Sequence, residues 1–357
     1  MREEQDVPLA GLTTMRVGGP AARLVTAETT DELVDAVREV DDADEPLLLV
    51  SGGSNLVVSD DGFAGTVVRV ATSGVSVESA DLCGGAMVRV AAGEEWDGFV
   101  TRAVAQGWSG VEGLSGIPGC TGATPVQNVG AYGQEVAQTI ASVRVYDRTE
   151  QRVRTFANAD CAFTYRHSLF KGTPRYVVLD VLYQLAVSDL SQPVAYADLA
   201  RQLGVATGER VPLGDAREAV LAQRARRGMV LDPADHDTWS CGSFFTTPVL
   251  SAAAFEQLEA RAADRLGDRG PKPPRFSDPD GNVKTSAAWL IEHAGFGKGY
   301  AMPGPAALST KHTLAVTNRG EATAKDVVAL ARELRDGVRE TFGVTLVNEP
   351  VLVGLEL

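Results

Sequence analysis

Apolar positions along this chain alternate between helical and strand-like spacing. Thr29-x-x-Glu32 makes a capping box ahead of Leu33, Val34, Val37 and Val40, which predicts a helix over 30–40. Leu47–Val50 is a short apolar run suited to a buried strand, and it leads into Ser51-Gly52-Gly53-Ser54-Asn55, a tight turn. Residues 66–93 read as strands, with Val67, Val68 and Val70, then Val75 and Val77, then Val88 and Val90 between turn residues. Trp96, Phe99, Val100, Ala103 and Val104 put an amphipathic helix over 95–106, with Gly107 in the stop position. Two further strands follow, over 143–146 and Tyr176–Val187. This first half is mixed α and β with an antiparallel or mixed sheet.

The pattern shifts near Pro212. Helices are predicted over 214–227 and 251–266, and a linker-like run over 267–281 carries Pro271, Pro273, Pro274 and Pro279. After it come a helix over 286–294 closed by Gly295, a strand over 314–316, and a long helix over 325–340 opened by the Thr323-x-x-Asp326 box. Paired strand-like runs flank Asn348-Glu349-Pro350. A distinct C-terminal domain is the simplest account.

Between the helix ending at Gly107 and the strand over 143–146 lies a long Gly- and Pro-containing run, SGVEGLSGIPGCTGATPVQNVGAYG over 109–133. Glycine reaches positive φ without steric cost and proline removes a donor, so this run takes an irregular path with backbone amides available to an anion. Trp108, Val111, Leu114, Ile117, Val126, Val129 and Tyr132 supply apolar anchors that argue against disorder. The turn over 51–55 is a second phosphate-cradle candidate, although alone it reads as a plain turn, since it matches neither common phosphate-loop pattern. Two such loops together suggest a large phosphorylated ligand, such as a dinucleotide.

Composition narrows the function classes. The chain has 357 residues, 44% hydrophobic and 22% charged, and a formal net charge of −14. That is the balance of a soluble globular protein, and the acidic total argues against nucleic-acid binding. Four dispersed cysteines (Cys83, Cys120, Cys161, Cys241) and four histidines without ligand spacing give neither a zinc site nor a disulfide framework, so no metal is expected. No export signal or long apolar span is read, so a cytoplasmic protein without membrane insertion is expected. Arg166, among Tyr165, His167 and Ser168, reads in isolation as a salt-bridge partner, and Glu349 as solvated. Ser243 follows Gly242 without a nucleophile-elbow pattern, so no catalytic triad is supported.

Taken together, SGGSN at 51–55, GLSGIPGCTGATPVQNVGAYG at 113–133, YRHSLFK at 165–171, GSFF at 242–245 and NEP at 348–350 resemble the UDP-N-acetylenolpyruvoylglucosamine reductase family, also called UDP-N-acetylmuramate dehydrogenase. The resemblance runs end to end, and YRHSLFK with the Tyr196 loop resembles the longer of the family's two architectural types. It implies an α+β fold: a two-lobed FAD-binding domain of the vanillyl-alcohol-oxidase type, over 1–72 and 73–210, and a C-terminal α+β substrate-binding domain over 211–357.

The same resemblance implies FAD as bound cofactor and NADPH as hydride donor, with UDP-N-acetylglucosamine enolpyruvate reduced to UDP-N-acetylmuramate in bacterial peptidoglycan precursor synthesis. Ser51, Gly52, Gly53, Ser54, Asn55 and Leu56 are implied at the FAD diphosphate. Ile117, Pro118, Gly122, Ala123, Thr124, Asn128, Gly130, Ala131 and Val178 are implied along the flavin. Hydride addition to an enol ether bearing a carboxylate builds negative charge, which cationic and hydrogen-bonding groups stabilise. Arg166 matches the family's carboxylate-polarising arginine, Glu349 its partner carboxyl and Ser243 the acid that protonates C2. Tyr165, Tyr196, Arg226, Arg227, Thr247 and Lys284 are implied at the sugar nucleotide, with Thr247 standing where the family often has asparagine. A monomer is expected. The rivals are an oxidoreductase of the same fold with another substrate, and a binding protein that has lost turnover.

Overall fold

The computed structural model describes residues 1–278 and 280–357; Pro279 of the linker-like run lies outside them. The chain divides into two compact units. One comprises Met1–Val7, Ala21–Gly53 and Phe63–Val230, the other Pro8–Pro20, Ser54–Gly62 and Leu231–Leu357.

In the first unit, a four-stranded sheet runs in the order Arg2–Pro8, Pro20–Ala27, Phe63–Val70, Leu47–Val50. Phe63–Val70 pairs in parallel with both neighbours. Its residues Thr66, Val67 and Val68 are wholly buried, as expected of a parallel strand covered on both faces. Helix α1 (Thr30–Asp42) makes the crossover between Pro20–Ala27 and Leu47–Val50. Thr29 caps it by accepting from the amide of Glu32, while the Glu32 carboxylate reaches back to the amide of Glu28.

The second sheet is antiparallel throughout, in the order Arg152–Ala157, Ile140–Asp147, Tyr176–Val187, Gly85–Ala91, Val75–Asp81, with Trp108–Ser109 also on Tyr176–Val187. Helix α2 (Trp96–Ala105) buries Trp96, Phe99, Val100 and Ala103. Trp96, Phe99 and Tyr183 form one aromatic cluster, with ring centroids 5.1–5.9 Å apart. Arg152–Ala157 was not legible as a strand because its alternating valine and threonine sit on an exposed edge among charged residues.

Helices α3 (Ala197–Leu203) and α4 (Leu213–Arg226) also belong to the first unit. They bury Val194, Leu199, Ala200, Val211, Ala216, Ala219 and Val220 together, with Tyr132 packed against them. Arg217 clamps Asp97 of α2 through two hydrogen bonds of 2.7 and 2.8 Å. The compositional break near Pro212 is therefore not where the packing divides; the chain leaves this unit after Val230.

The second unit is built around α5 (Ala252–Leu266), α6 (Ala287–His293) and α7 (Ala324–Phe342). Ser251, Ser286 and Thr323 cap them, and Thr323 with Asp326 completes the predicted capping box. Their apolar faces close on Phe244, Phe245, Leu308 and Val316. Two expectations shift here. The strand anticipated at 314–316 is Val316–Asn318, paired with Ala306–Leu308. Of the two runs flanking Asn348, only the second is a strand, Val351–Val353, paired in parallel with Leu56–Val58.

Candidate active site

In the first unit the two glycine-rich loops meet. A Cβ at Gly52 would lie 2.4 Å from Gly119 Cα, so the backbones touch where only hydrogen fits. Burial pushes the Cys120 thiol up, against the opposing influence of the neighbouring Ser51 side chain and Gly52 backbone. The Gly119 carbonyl in turn accepts from the Trp96 amide, which anchors the contact on α2. Gly122 is equally confined, with Ala92 Cβ 2.5 Å from where its Cβ would stand.

The loop's amides are less available than its composition suggests. Gly110 donates to the Glu112 carboxylate, Gly113 to Gln134 and Gly116 to Asp97, each within 2.7 Å. Thr121, Gly122, Ala123 and Thr124 donate to backbone carbonyls. The reason is general: a buried amide without a partner costs free energy, so a loop this enclosed consumes its own donors. What is left open is a side chain. Thr121 Oγ1 is buried with no hydrogen-bond partner among the described residues.

YRHSLFK docks on the second half of this loop. Arg166, in the left-handed region at φ +53°, donates to the Gly130 carbonyl at 2.7 Å and to the Asn128 carbonyl at 3.4 Å. Asn128 is also left-handed, at φ +48°. Its buried amide group bonds the Glu135 carboxylate at 2.9 Å, the Thr164 carbonyl at 3.0 Å and the Ala137 amide at 3.1 Å. Lys171 holds the Arg166 carbonyl and Ser168 holds that of Val126. Tyr165 is exposed with its ring against the Arg166 guanidinium, and the exposed Tyr196 ring lies 5.9 Å from Tyr132. Thr124 bonds the buried Tyr183 hydroxyl at 2.8 Å, and Val178 is buried in the strand Tyr176–Val187. Ile117, Pro118, Gly130 and Ala131 are half-buried, and Ala123 is exposed.

Arg226 bonds Gln202, and Arg227 approaches Asp198 at 3.8 Å. Beside them Arg224 was missed by the sequence reading: burial brings it down to about 10, its Nη2 donates to the Met229 carbonyl and its buried Nε has no partner among the described residues. Three arginines in four residues at a helix end carried no signal that would single out the enclosed one.

In the second unit GSFF and NEP run side by side. The Glu349 amide donates to the Phe244 carbonyl at 2.9 Å, Phe245 bridges Asn348, and the Thr246 amide donates to the Val347 carbonyl. Ser243 and Glu349 are therefore carried on adjacent paired segments, both half-buried. Asn55 joins them, its side chain donating to the Glu349 carbonyl at 3.2 Å and its own carbonyl accepting from the Val351 amide. Ser54 and Leu56 flank it in the same unit, and the Leu56 carbonyl accepts from the Cys241 thiol. Burial pushes that thiol up to about 12, so it stays a neutral donor. Lys284 pairs with Asp278 at 2.8 Å, and Thr247 is half-buried before Pro248, whose carbonyl accepts from Thr285.

A family model described as UDP-N-acetylenolpyruvoylglucosamine reductase, C-terminal domain, matches residues 232–353, and one described as FAD binding domain matches 21–155. Reductases of that name from Thermobifida fusca and Streptomyces avermitilis are each 58% identical to the chain, covering 99% and 100% of it and 98% and 96% of their own lengths. The chain belongs to the UDP-N-acetylenolpyruvoylglucosamine reductase family. The crystal structure of the reductase from Thermus caldophilus superposes over 99% of both chains, with a TM-score of 0.64 at 27% identity. The reductase fold is thus an FAD-binding domain of the vanillyl-alcohol-oxidase type with the family's C-terminal domain, and the chain is a flavin-dependent oxidoreductase. Among the described residues no helix is long and apolar enough to cross a membrane, and no cluster could hold a metal ion.

The residues of the first unit fit a flavin nucleotide. Two loops pressed backbone to backbone through Gly52 and Gly119 leave no room for side chains, and the buried Thr121 hydroxyl two residues on has no partner among the described residues, so close backbone approach and one spare hydroxyl are what these loops offer a dinucleotide.

Proposed function

We propose that the chain reduces UDP-N-acetylglucosamine enolpyruvate to UDP-N-acetylmuramate in peptidoglycan precursor synthesis, with NADPH as hydride donor. The observation that carries this reading is the pairing of GSFF with NEP, which presents Ser243 and Glu349 on adjoining segments in a family whose name states the substrate. Residues 1–72 and 73–210 are read as the two FAD lobes; a sheet with parallel strands ending at Val70 and an antiparallel one beginning at Val75 support it. The chain is read as a cytoplasmic monomer.

When bound, FAD would supply two-electron hydride chemistry between NADPH and C3 of the enolpyruvyl group. Ser51 to Leu56 would hold its diphosphate, and Ile117, Pro118, Gly122, Ala123, Thr124, Asn128, Gly130, Ala131 and Val178 its ring system. Arg166 is read as binding the substrate carboxylate, where negative charge grows as C3 is attacked. Its backbone, fixed in the left-handed region, and its bonds to Gly130 and Asn128 hold the guanidinium in place beforehand. Ser243 is read as delivering the proton to C2. Glu349 is read as the carboxyl that assists Arg166 in polarising the substrate. Tyr165, Tyr196, Arg226, Arg227, Thr247 and Lys284 are read as sugar-nucleotide contacts.

Anaerobic absorbance tests the proposal. NADPH is expected to bleach the flavin, and UDP-N-acetylglucosamine enolpyruvate to restore its colour with formation of UDP-N-acetylmuramate. Ser243→Ala should lose the second phase and keep the first. Bleaching without substrate-dependent return would reject the substrate.

A further inference from the structure

The turn from Thr13 to Gly19 has no part in the chemistry described above, yet it is welded to the segment that carries Ser243. We propose that Thr14, assisted by Arg16, is a positioning residue for Ser243. The inference rests on the proton-donor reading of Ser243.

Both groups lie in the second unit. Thr14 Oγ1 donates to the Ser240 carbonyl at 2.7 Å, with both residues buried. One residue earlier, the Trp239 carbonyl accepts from the Asn318 amide at 3.0 Å, and the Asn318 side chain donates to the carbonyls of Met15 and Arg16 at 3.1 and 3.2 Å. The Arg16 guanidinium lies 3.9 Å from the Trp239 ring centroid, a cation–π contact on the same segment. Downstream of Ser243, the Phe244 amide donates to the Leu314 carbonyl and its carbonyl accepts from Glu349. Ser243 is thus suspended between two pins, and Thr14 is part of the upstream one.

Between that pin and Ser243 stands Gly242, at φ +72°, its amide held by Ser240 Oγ at 3.1 Å. Glycine tolerates many backbone angles, so the direction of the Ser243 hydroxyl depends on the peptide entering Gly242 being fixed. That peptide follows the carbonyl that Thr14 holds. Removing the hydroxyl leaves a buried acceptor unsatisfied, and the peptide turns to find a donor. Thr13 does not share this role; its hydroxyl bonds the Val17 carbonyl within the turn itself.

The test compares flavin-loaded Thr14→Val, which removes the hydroxyl at constant shape, with Thr14→Ser, which keeps it, and Ser243→Ala as reference. Thr14→Ala carries the same expectation and serves if the valine variant does not fold. Amide hydrogen exchange over 239–244 should speed up at least tenfold in Thr14→Val and return to the wild-type rate in Thr14→Ser. Substrate-driven flavin reoxidation should slow about tenfold in Thr14→Val, with a larger solvent deuterium isotope effect, while reduction by NADPH stays within twofold. Wild-type exchange and reoxidation in Thr14→Val, with Ser243→Ala slow, would overturn the positioning role alone. Equal slowing of both half-reactions would also overturn it. Wild-type reoxidation in Ser243→Ala would remove the reading of Ser243, and this inference with it.

Discussion

Gly52→Ala is the sharpest test of the idea that the two glycine-rich loops form one flavin-binding surface. The added Cβ would stand 2.4 Å from Gly119 Cα, 2.9 Å from Gly119 C and 3.3 Å from Cys120 N. Ordinary contact begins at 3.4 Å, so relief requires the loops to part by 1.0 Å (3.4 − 2.4). No flexible side-chain end is available to move; every near atom is backbone. The Gly119 carbonyl is tied to the Trp96 amide and Cys120 bridges Glu95, so the 118–120 loop cannot recoil without breaking these bonds. Overpacking of this kind costs about 1–3 kcal/mol. Shared equally between folding and ligand affinity, it should weaken FAD binding by about two- to tenfold. Titration of flavin-free protein by fluorescence quenching measures the Kd, and thermal unfolding of the same protein measures the share taken by stability. A variant with lowered Tm and wild-type FAD affinity would refute the reasoning, since the contact would then be structural only.

Gly214→Ala is the contrasting case: it lies in α4, nothing stands within 4 Å of the added Cβ, and the substitution should stabilise by about 0.5–1 kcal/mol, read as a Tm rise of a few degrees. Asp147 is buried between Arg175 and Arg154, and these partners hold its carboxyl well below the usual range. Because its native pKa is depressed, its stabilisation is present above the unfolded value of about 4 and is lost as pH falls below that toward the native one. The urea midpoint should therefore decline with acidification below about pH 4 in the wild type, and less steeply in Asp147→Asn. Asn128→Ala removes three side-chain hydrogen bonds and places alanine at φ +48°, which should cost about 3 kcal/mol in chemical unfolding; a change under about 1 kcal/mol would show that the network does not fix the loop.

Elements with strong local signals were legible in the sequence. Helix α7 follows its Thr323–Asp326 box, α2 its apolar face, and Tyr176–Val187 its β-branched run. The family motifs located the segments that pack together within each unit. What the sequence hid was set by long-range partners. The exposed edge strand Arg152–Ala157 lacks an apolar face, and helix α3 has only seven residues, too few for a periodic signal. The unit boundary escaped because Pro212 marks a change of local conformation, whereas the packing of Val211, Ala216 and Val220 on Val194 and Leu199 decides to which core α4 belongs.

The expectation about the long loop shows where composition misleads. Glycine and proline announced an irregular path with spare amides, and the irregular path is there, but Gln134, Asp97, Glu112 and the loop's own carbonyls consume many of the donors. The glycines serve close approach at Gly52–Gly119 and Gly122–Ala92 more than they supply open N–H groups. Recognition along this loop would then depend on shape, carbonyls and the Thr121 hydroxyl. Thr121→Val should accordingly weaken FAD binding while sparing or raising flavin-free stability, because a buried hydroxyl without a partner contributes nothing to the fold it sits in. A Thr121→Val protein less stable without flavin and unchanged in FAD affinity would show instead that the hydroxyl serves the fold.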